Sequence, residues 1–530
     1  MHNFLKYVPG PMVVALLCCL ILGFADSRAQ SSSLWGDLES GPYGIGFMTL
    51  EEFDYSRSFQ PKYSYNGELL PGERSRPIQV CIWYPAEIPD DAEHMVYGEY
   101  VYPYPGNHHF DNFIANMQNK ELRFLHGLLN NDRAKVQDLL NVKVTAVRDA
   151  PPAEGKFPLI IYHANSMAGF AENHILCEYL AGQGYVVATT HSMGAREYIP
   201  QPVGGDIEAM TRDKEFVAAS IRDLEFVDID RLGLLGCGFG GLTALIMQMR
   251  NREANAVAVL EGSFMYDEYV DLSGRVASYN PEGLLMPLFV IYGNDPKGRN
   301  LSALDSYRYA DIYTLGIDGL TAPDFCNYSR LAAFADNDVP VEKKRAYNDI
   351  CRHLLAYYDS HLKKEGGKPA ALGKMFESGA AAPVGMTVSY RDGLDRPPRE
   401  HEFMAILRDE GGARGVKLYE KFKKQEPDYQ IFREAMMNAV GYELLQTGRI
   451  EDALEVFRLN SIAYPGSANC WDSYAEALIA TGDTETAMKC YRKVLEVLPT
   501  DSTSSPQMKQ NIERIARERL GLNEPNDESN

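Results

Sequence analysis

Residues 231–245 read Arg-Leu-Gly-Leu-Leu-Gly-Cys-Gly-Phe-Gly-Gly-Leu-Thr-Ala-Leu: an apolar strand, a glycine-dense turn and the start of a helix. A strand handed over to a helix through so short a turn calls for a sheet with helices on its faces. Gly236 and Gly240 stand two residues either side of Gly238, the spacing of a Gly-x-Ser-x-Gly elbow, whose apex is held in a strained, positive-φ turn. A reactive elbow carries Ser, Cys or Asp at that apex. Gly238 has no side chain, so the stretch that predicts the turn also argues against a nucleophile on it. Glycine adopts the geometry without steric cost.

The surrounding pattern agrees with a layered α/β unit over residues 41–364. Apolar runs at 77–84, 157–163, 185–190, 256–260, 287–293 and 311–317 read as strands. Helical spacing is found at 170–182, 206–224 and 341–363, the last with a stripe of Tyr347, Ile350, Leu354, Leu355 and Tyr358. The alternation predicts a largely parallel sheet covered on both faces. Residues 86–153 form a long insertion with an aromatic cluster (Tyr97, Tyr100, Tyr102, Tyr104, Phe110) and a helix expected over 119–129. Insertions of this length serve as lids or binding loops, or are surface excursions.

Residues 365–398 are rich in Gly, Ala and Pro and read as a linker. Beyond them, residues 399–521 are helical with a 34-residue period: Gly448 matches Gly482, Ala453 Ala487, Phe457 Tyr491 and Pro465 Pro499. Gly441 likewise matches Ala475, and Leu444 Leu478. Period, small residues, aromatic and terminal proline resemble the tetratricopeptide pattern. Trp471 holds the aromatic first-helix position in the repeat 468–501, and Met437 replaces it in the repeat 434–467. Residues 400–426 read as a degenerate third hairpin, 505–520 as a capping helix, and 523–530 as a polar tail.

The first 29 residues read as a signal peptide, with Lys6, an apolar run from Met12 to Phe24 and a cleavage site after Ala29. The mature chain is therefore expected to be secreted or periplasmic, with no stable membrane span, and the leader with this domain pairing suggests a Gram-negative bacterium. A formal net charge of -21 disfavours nucleic acid and anionic membranes as partners. The cysteines beyond the leader (Cys81, Cys177, Cys237, Cys326, Cys351, Cys470, Cys490) are scattered, without metal-binding spacing. No cofactor and no metal are expected.

Four segments, 76–86, 157–166, 178–188 and 236–244, resemble the platelet-activating-factor acetylhydrolase and dienelactone-hydrolase-like branch of the α/β-hydrolases. That resemblance covers residues 41–362 and implies the α/β-hydrolase fold. The family's elbow reads Gly-His-Ser-Phe-Gly-Gly, against Gly236-Cys237-Gly238-Phe239-Gly240-Gly241 here. Its triad acid follows the next strand, where Glu261 stands, and its triad histidine falls at Ala322. Asp295 is the alternative acid, after a later strand. The resemblance thus implies a scaffold with both the nucleophile and the base missing, and restoring Ser and His at 238 and 322 is expected to return esterase activity.

A pocket can outlast its nucleophile. The helix beginning at Phe239 directs N–H groups at the crevice, and the turn His163-Ala164-Asn165-Ser166 stands where a second oxyanion donor belongs. Asn165, Ser166, His191, Gly238 and Phe239 are the expected pocket residues. Cys237 lies one residue off the apex and reads as core filling. Ser166 and Ser192 lack a recognisable base, the pair His108-His109 reads as a solvated loop, and His353 falls inside a helix.

The expected function is a catalytically inactive, esterase-like binding protein. It would hold an acyl or ester-type ligand in the crevice and a protein or peptide on its repeats. The alternatives are a carboxylester or lipid hydrolase with a relocated catalytic set, and a metal-assisted hydrolase using His163, His191 and a carboxylate.

Overall fold

The computed structural model describes residues 32–70, 74–102, 106–166, 169–294, 299–336, 340–363, 376 and 385–522. The expected leader, Asp295 and the tail 523–530 lie outside the described residues. The chain divides into two compact units, Met1–Leu394 and Asp395–Asn530.

The first unit is built on β1 (Gly44–Ser58), β2 (Ser75–Ala86), β3 (Val147–Arg148), β4 (Phe157–His163), β5 (Val186–Thr189), β6 (Val227–Cys237), β7 (Ala256–Leu260), β8 (Leu288–Gly293), β9 (Ile312–Ile317) and β10 (Met386–Arg391). They form one sheet in the order β10-β9-β8-β7-β6-β4-β5-β2-β1-β3. Neighbours from β5 through β9 are parallel, whereas β2 runs against both β1 and β5. From β1 to β9 this is the α/β-hydrolase strand order, with β4 and β5 exchanged in space and the second strand reversed.

Every residue of β4 is buried, as a strand covered on both faces requires. Leu159 and Ile161 join Ile207 and Val217 of α4 (Gly204–Ile221) and Leu242 and Leu245 of α5 (Phe239–Asn251) in one core. Ile160 and Tyr162 share the other core with Leu176 and Leu180 of α3 (His174–Gly182) and Leu354 of α8 (Val341–Leu362). Two buried tyrosines of α8 place their hydroxyls on strand carbonyls: Tyr358 donates to Leu234 O at 2.8 Å and Tyr357 to Pro287 O at 2.6 Å. On β2, the buried Arg76 forks onto Asp213 of α4, with Nε and Nη2 each 2.5 Å from a carboxylate oxygen.

The insertion between β2 and β4 carries α1 (Asp111–Leu128) and α2 (Arg133–Leu140). Its main helix starts earlier than the expected 119. The Asn107 side chain accepts from His109 N at 3.0 Å and caps a short 3₁₀ turn, which runs straight into α1. The insertion is tied down by the buried Glu178 of α3, whose carboxylate accepts from Tyr100 Oη at 2.7 Å, Trp35 Nε1 at 2.9 Å and Thr145 N at 3.2 Å. Two further helices belong to this unit, α6 (Asp267–Gly274) between β7 and β8 and α7 (Tyr328–Asp336) after β9.

One boundary needs correction. The Gly- and Ala-rich segment 365–398 is not linker throughout, because β10 lies within it and pairs antiparallel with β9 from Met386↔Ile317 to Arg391↔Ile312. Short side chains around a strand gave it the composition of a connector.

The second unit is helical: α9 (Glu400–Glu410), α10 (Gly412–Gln425), α11 (Glu434–Gln446), α12 (Ile450–Ala463), α13 (Ala468–Thr481), α14 (Thr484–Val497) and α15 (Pro506–Arg519). The hairpins α11–α12 and α13–α14 open at Glu434 and Ala468, in step with the 34-residue period. Small residues mark the tight crossings: a Cβ on Gly441 of α11 would meet the Phe457 ring of α12 at 2.6 Å. Ser467 caps α13, its hydroxyl accepting from Cys470 N at 3.3 Å. Phe403 of α9 stacks on Phe432, in the segment before α11, with ring centroids 5.6 Å apart.

Candidate functional site

β6 ends at Cys237 and α5 begins at Phe239, leaving Gly238 alone at the bend with φ 56° and ψ −120°. The flanking glycines are required by space. A Cβ on Gly240 would lie 1.8 Å from His163 O, and one on Gly236 2.3 Å from Gly240 O. The bend is pinned by its backbone, with Gly238 N donating to Leu260 O at 3.0 Å and Gly238 O accepting from Ser263 N at 3.1 Å. The strained geometry of a nucleophile elbow is therefore complete except for the nucleophile.

The space above the apex is filled. A Cβ built on Gly238 would stand 2.9 Å from the carboxamide carbon and nitrogen of Asn165. Asn165 Oδ1 in turn accepts from Ser166 N at 2.7 Å, which fixes the carboxamide. The Asn165 N–H, on the turn expected to supply a second oxyanion donor, is turned onto Glu172 Oε1 at 2.6 Å. The same Oε1 accepts from Tyr162 Oη at 2.7 Å. The carboxamide thus stands where a side chain at 238 would go, and the carboxylate takes one N–H of the turn.

Beside the elbow lies a cavity of about 560 Å³, within the range of small-ligand sites. Its lining includes Asn165, Glu172, Cys237, Ala322 and Cys326 on the sheet side, with Phe124 and Leu128 of α1 facing them. The insertion helix is therefore a wall of the crevice. Its Lys120 also clamps the two crevice turns, Nζ donating to Ser166 O at 3.1 Å and Ser192 O at 3.0 Å.

The electrostatics of this wall come from burial. It pushes the Glu172 carboxyl up to about 7 and the neighbouring Glu121 carboxyl up to about 7, because the charged form loses its water. It pulls the Lys120 ammonium down to about 8. Burial also holds the Cys237 and Cys326 thiols well above their ordinary range, so neither is an activated thiolate.

The expected triad positions fall as follows. Ala322 opens a 3₁₀ turn (Ala322–Phe325) and lines the cavity. Glu261, at φ 46°, is ion-paired with Arg299, hydrogen-bonded by Tyr266 Oη and accepts from Gly293 N at 2.8 Å. That carboxylate is committed to holding the β7 and β8 ends together. Phe239 packs edge-on against Tyr269, ring centroids 4.9 Å apart.

His191 does not line the cavity. Its Nε2 lies 3.3 Å from Gln79 Oε1, its ring packs between Phe113 and Phe170, and burial pulls it down to about 3, so it is neutral. His163 Nδ1 meets Thr243 Oγ1 at 2.9 Å beneath the bend. Ser166 is buried with its N–H on Asn165, and Ser192 Oγ donates to Ala164 O at 3.1 Å. Among the described residues no group of three or more His, Cys, Asp or Glu side chains is arranged to hold a metal ion.

Glu172, Glu121, Lys120 and Tyr328 were not anticipated from the sequence. Glu172 and Asn173 precede an apolar helix after a glycine turn, and such polar residues read as a helix start rather than as a cavity wall.

No family model matches the chain, and no curated protein matches it. Among solved structures, the chain is similar to a ferulic acid esterase from Streptomyces cinnamoneus, with 19% identity and a TM-score of 0.44 over 66% of this chain and 96% of that one. The fold assignment rests on the strand order and the elbow.

Proposed function

We propose that this chain is an esterase-like α/β-hydrolase scaffold that has given up acyl transfer and works by binding. The small ligand sits in the cavity beside the elbow, and the helical repeats take a protein or peptide partner. The leader read from residues 1–29 supports an exported protein.

One observation carries the proposal: Asn165 fills the space above Gly238 while its N–H is held by Glu172. With the nucleophile and its base both absent, turnover is expected to fall about a millionfold below an intact triad. A residual 10³ to 10⁴ over water, of the order that binding and an oxyanion hole alone supply, is not expected either, because the Asn165 N–H of that turn is occupied.

The test is a fluorophosphonate probe on the purified mature protein, read by mass spectrometry. No labelled serine in the crevice is the expected result. Labelling of a crevice serine would overturn the proposal and favour a relocated catalytic set.

A further inference from the structure

Asn165 meets the cavity beside the elbow with an idle donor. A Cβ on Gly238 would stand 2.9 Å from its carboxamide carbon, 2.9 Å from Nδ2 and 3.0 Å from Oδ1, so the carboxamide lies face-on over the bend. Oδ1 is spent on Ser166, accepting from its N–H at 2.7 Å and its hydroxyl at 3.5 Å, and this donor N–H settles which end of the carboxamide is nitrogen. Nδ2 has no hydrogen-bond partner among the described residues. Asn165 is only half-buried and lines the cavity, and its Nδ2 keeps open surface. An amide N–H facing an apolar space without a partner is a cost that an acceptor on a ligand removes.

The neighbouring oxygens do not compete for that place. Glu172 spends Oε1 on Tyr162 Oη and Asn165 N, and its Oε2 is buried, as is the Tyr328 hydroxyl. The strong side-chain hydrogen-bonding groups that a ligand reaches are therefore donors, Asn165 Nδ2 within and the exposed Arg123 guanidinium at the mouth.

Charge and surroundings narrow the acceptor. Phe124, Leu128, Ala322 and Pro323 make the wall largely apolar. A carboxylate set against Nδ2 would stand beside Glu172, which holds the backbone N–H of the same Asn165, with Glu121 also buried nearby. The buried Lys120 already serves the Ser166 and Ser192 carbonyls. Like charges repel strongly where water is excluded. A carbonyl oxygen supplies the acceptor without the charge.

We propose that this cavity binds an uncharged carbonyl compound with an apolar body, its C=O accepting from Asn165 Nδ2 above Gly238 and its body lying along Phe124 and Leu128. Asn165 is then the residue that sets specificity: it stands where a nucleophile's side chain would go and holds, by a hydrogen bond, the kind of group that a nucleophile there would attack. The proposal rests on the binding reading above and supplies its ligand class.

The test is equilibrium dialysis of the full mature protein at mildly alkaline pH against three probes of one skeleton: benzylacetone, hydrocinnamate and butylbenzene. None is an ester, so hydrolysis does not enter the measurement. The ketone is expected to bind about tenfold tighter than the hydrocarbon, the scale of one added hydrogen bond, and tighter than the carboxylate. Asn165→Leu removes the donor at similar size. Asn165→Asp keeps an oxygen for the Ser166 N–H and turns the donor into an acceptor. Each is expected to weaken benzylacetone by about tenfold and to leave butylbenzene within about twofold, a difference that a merely structural role for Asn165 would not produce. Circular dichroism melting checks that both variants fold.

If neither variant folds, the ranking of the three probes on the unaltered protein decides. Benzylacetone bound no tighter than butylbenzene, not bound at all, or insensitive to both substitutions overturns the proposal. Hydrocinnamate bound tightest also overturns it while leaving a binding protein, and loss of that preference in Arg123→Gln would place the anion at the mouth. Covalent labelling of a crevice serine by fluorophosphonate defeats the binding reading itself.

Discussion

Asn165 occupies the place that a side chain on Gly238 would take, with its carboxamide carbon 2.9 Å from where the Cβ would stand. Restoring Ser and His at 238 and 322, which the sequence alone expects to return esterase activity, therefore requires the Asn165 carboxamide to swing aside. Gly238→Ser with Ala322→His is expected to stay within about tenfold of background on a nitrophenyl acetate assay. Adding Asn165→Gly clears the space, and the triple variant is expected to gain about a hundredfold or more over the double, the scale of a positioned base. Equal rates for double and triple variants would show that Asn165 is not the obstacle.

Arg76 and Asp213 form a buried pair, 1% and 0% exposed, and Arg76 also donates to Gly194 O at 2.7 Å and Met193 O at 3.2 Å. Arg76→Met leaves the Asp213 carboxylate with Arg57 as its one ion pair among the described residues. A loss of about 3–5 kcal/mol is expected in a denaturant melt.

Stability should fall as pH rises through the weakly acidic range. Burial raises the Glu172, Glu121 and Glu178 carboxyls from 4.5 to about 7, 7 and 6. Between those limits the folded chain holds protons that the unfolded chain has released, so the slope of unfolding free energy against pH is negative. Lys214 and Lys120, lowered from 10.5 to about 7 and 8, give the opposite slope on the alkaline side. Glu172→Gln should flatten the acid limb and leave the alkaline limb in place, measured by melts across pH.

In the repeat unit, Gly441 lets α11 close on the Phe457 ring. Gly441→Leu should force the hairpin open and cost about 2–3 kcal/mol in the helical melt, the scale of an overpacked core.

The central strands and the elbow were legible because they are written in local pattern. Residues 157–163 could only be a strand buried on both faces, and Gly236, Gly238 and Gly240 could only be a bend under spatial constraint. The repeats were legible because Gly448 and Gly482 hold equivalent places one period apart. The cavity beside the elbow was not legible. It needs Glu172 from before α3, Tyr328 from α7 and Phe124 from an insertion helix to meet in space, and no spacing in the chain encodes that meeting. β1 was also passed over, since its 15 residues alternate only partly and carry Glu51, Glu52 and Asp54.

β10 returns from beyond the long helix α8 to pair with β9. A truncation at the start of the Gly- and Ala-rich stretch would strip away that last neighbour and leave β9 with a bare rim of unpaired amides and carbonyls, a template for other molecules to stack against. The α/β unit, if it is to be prepared by itself, has to keep its chain through Leu394.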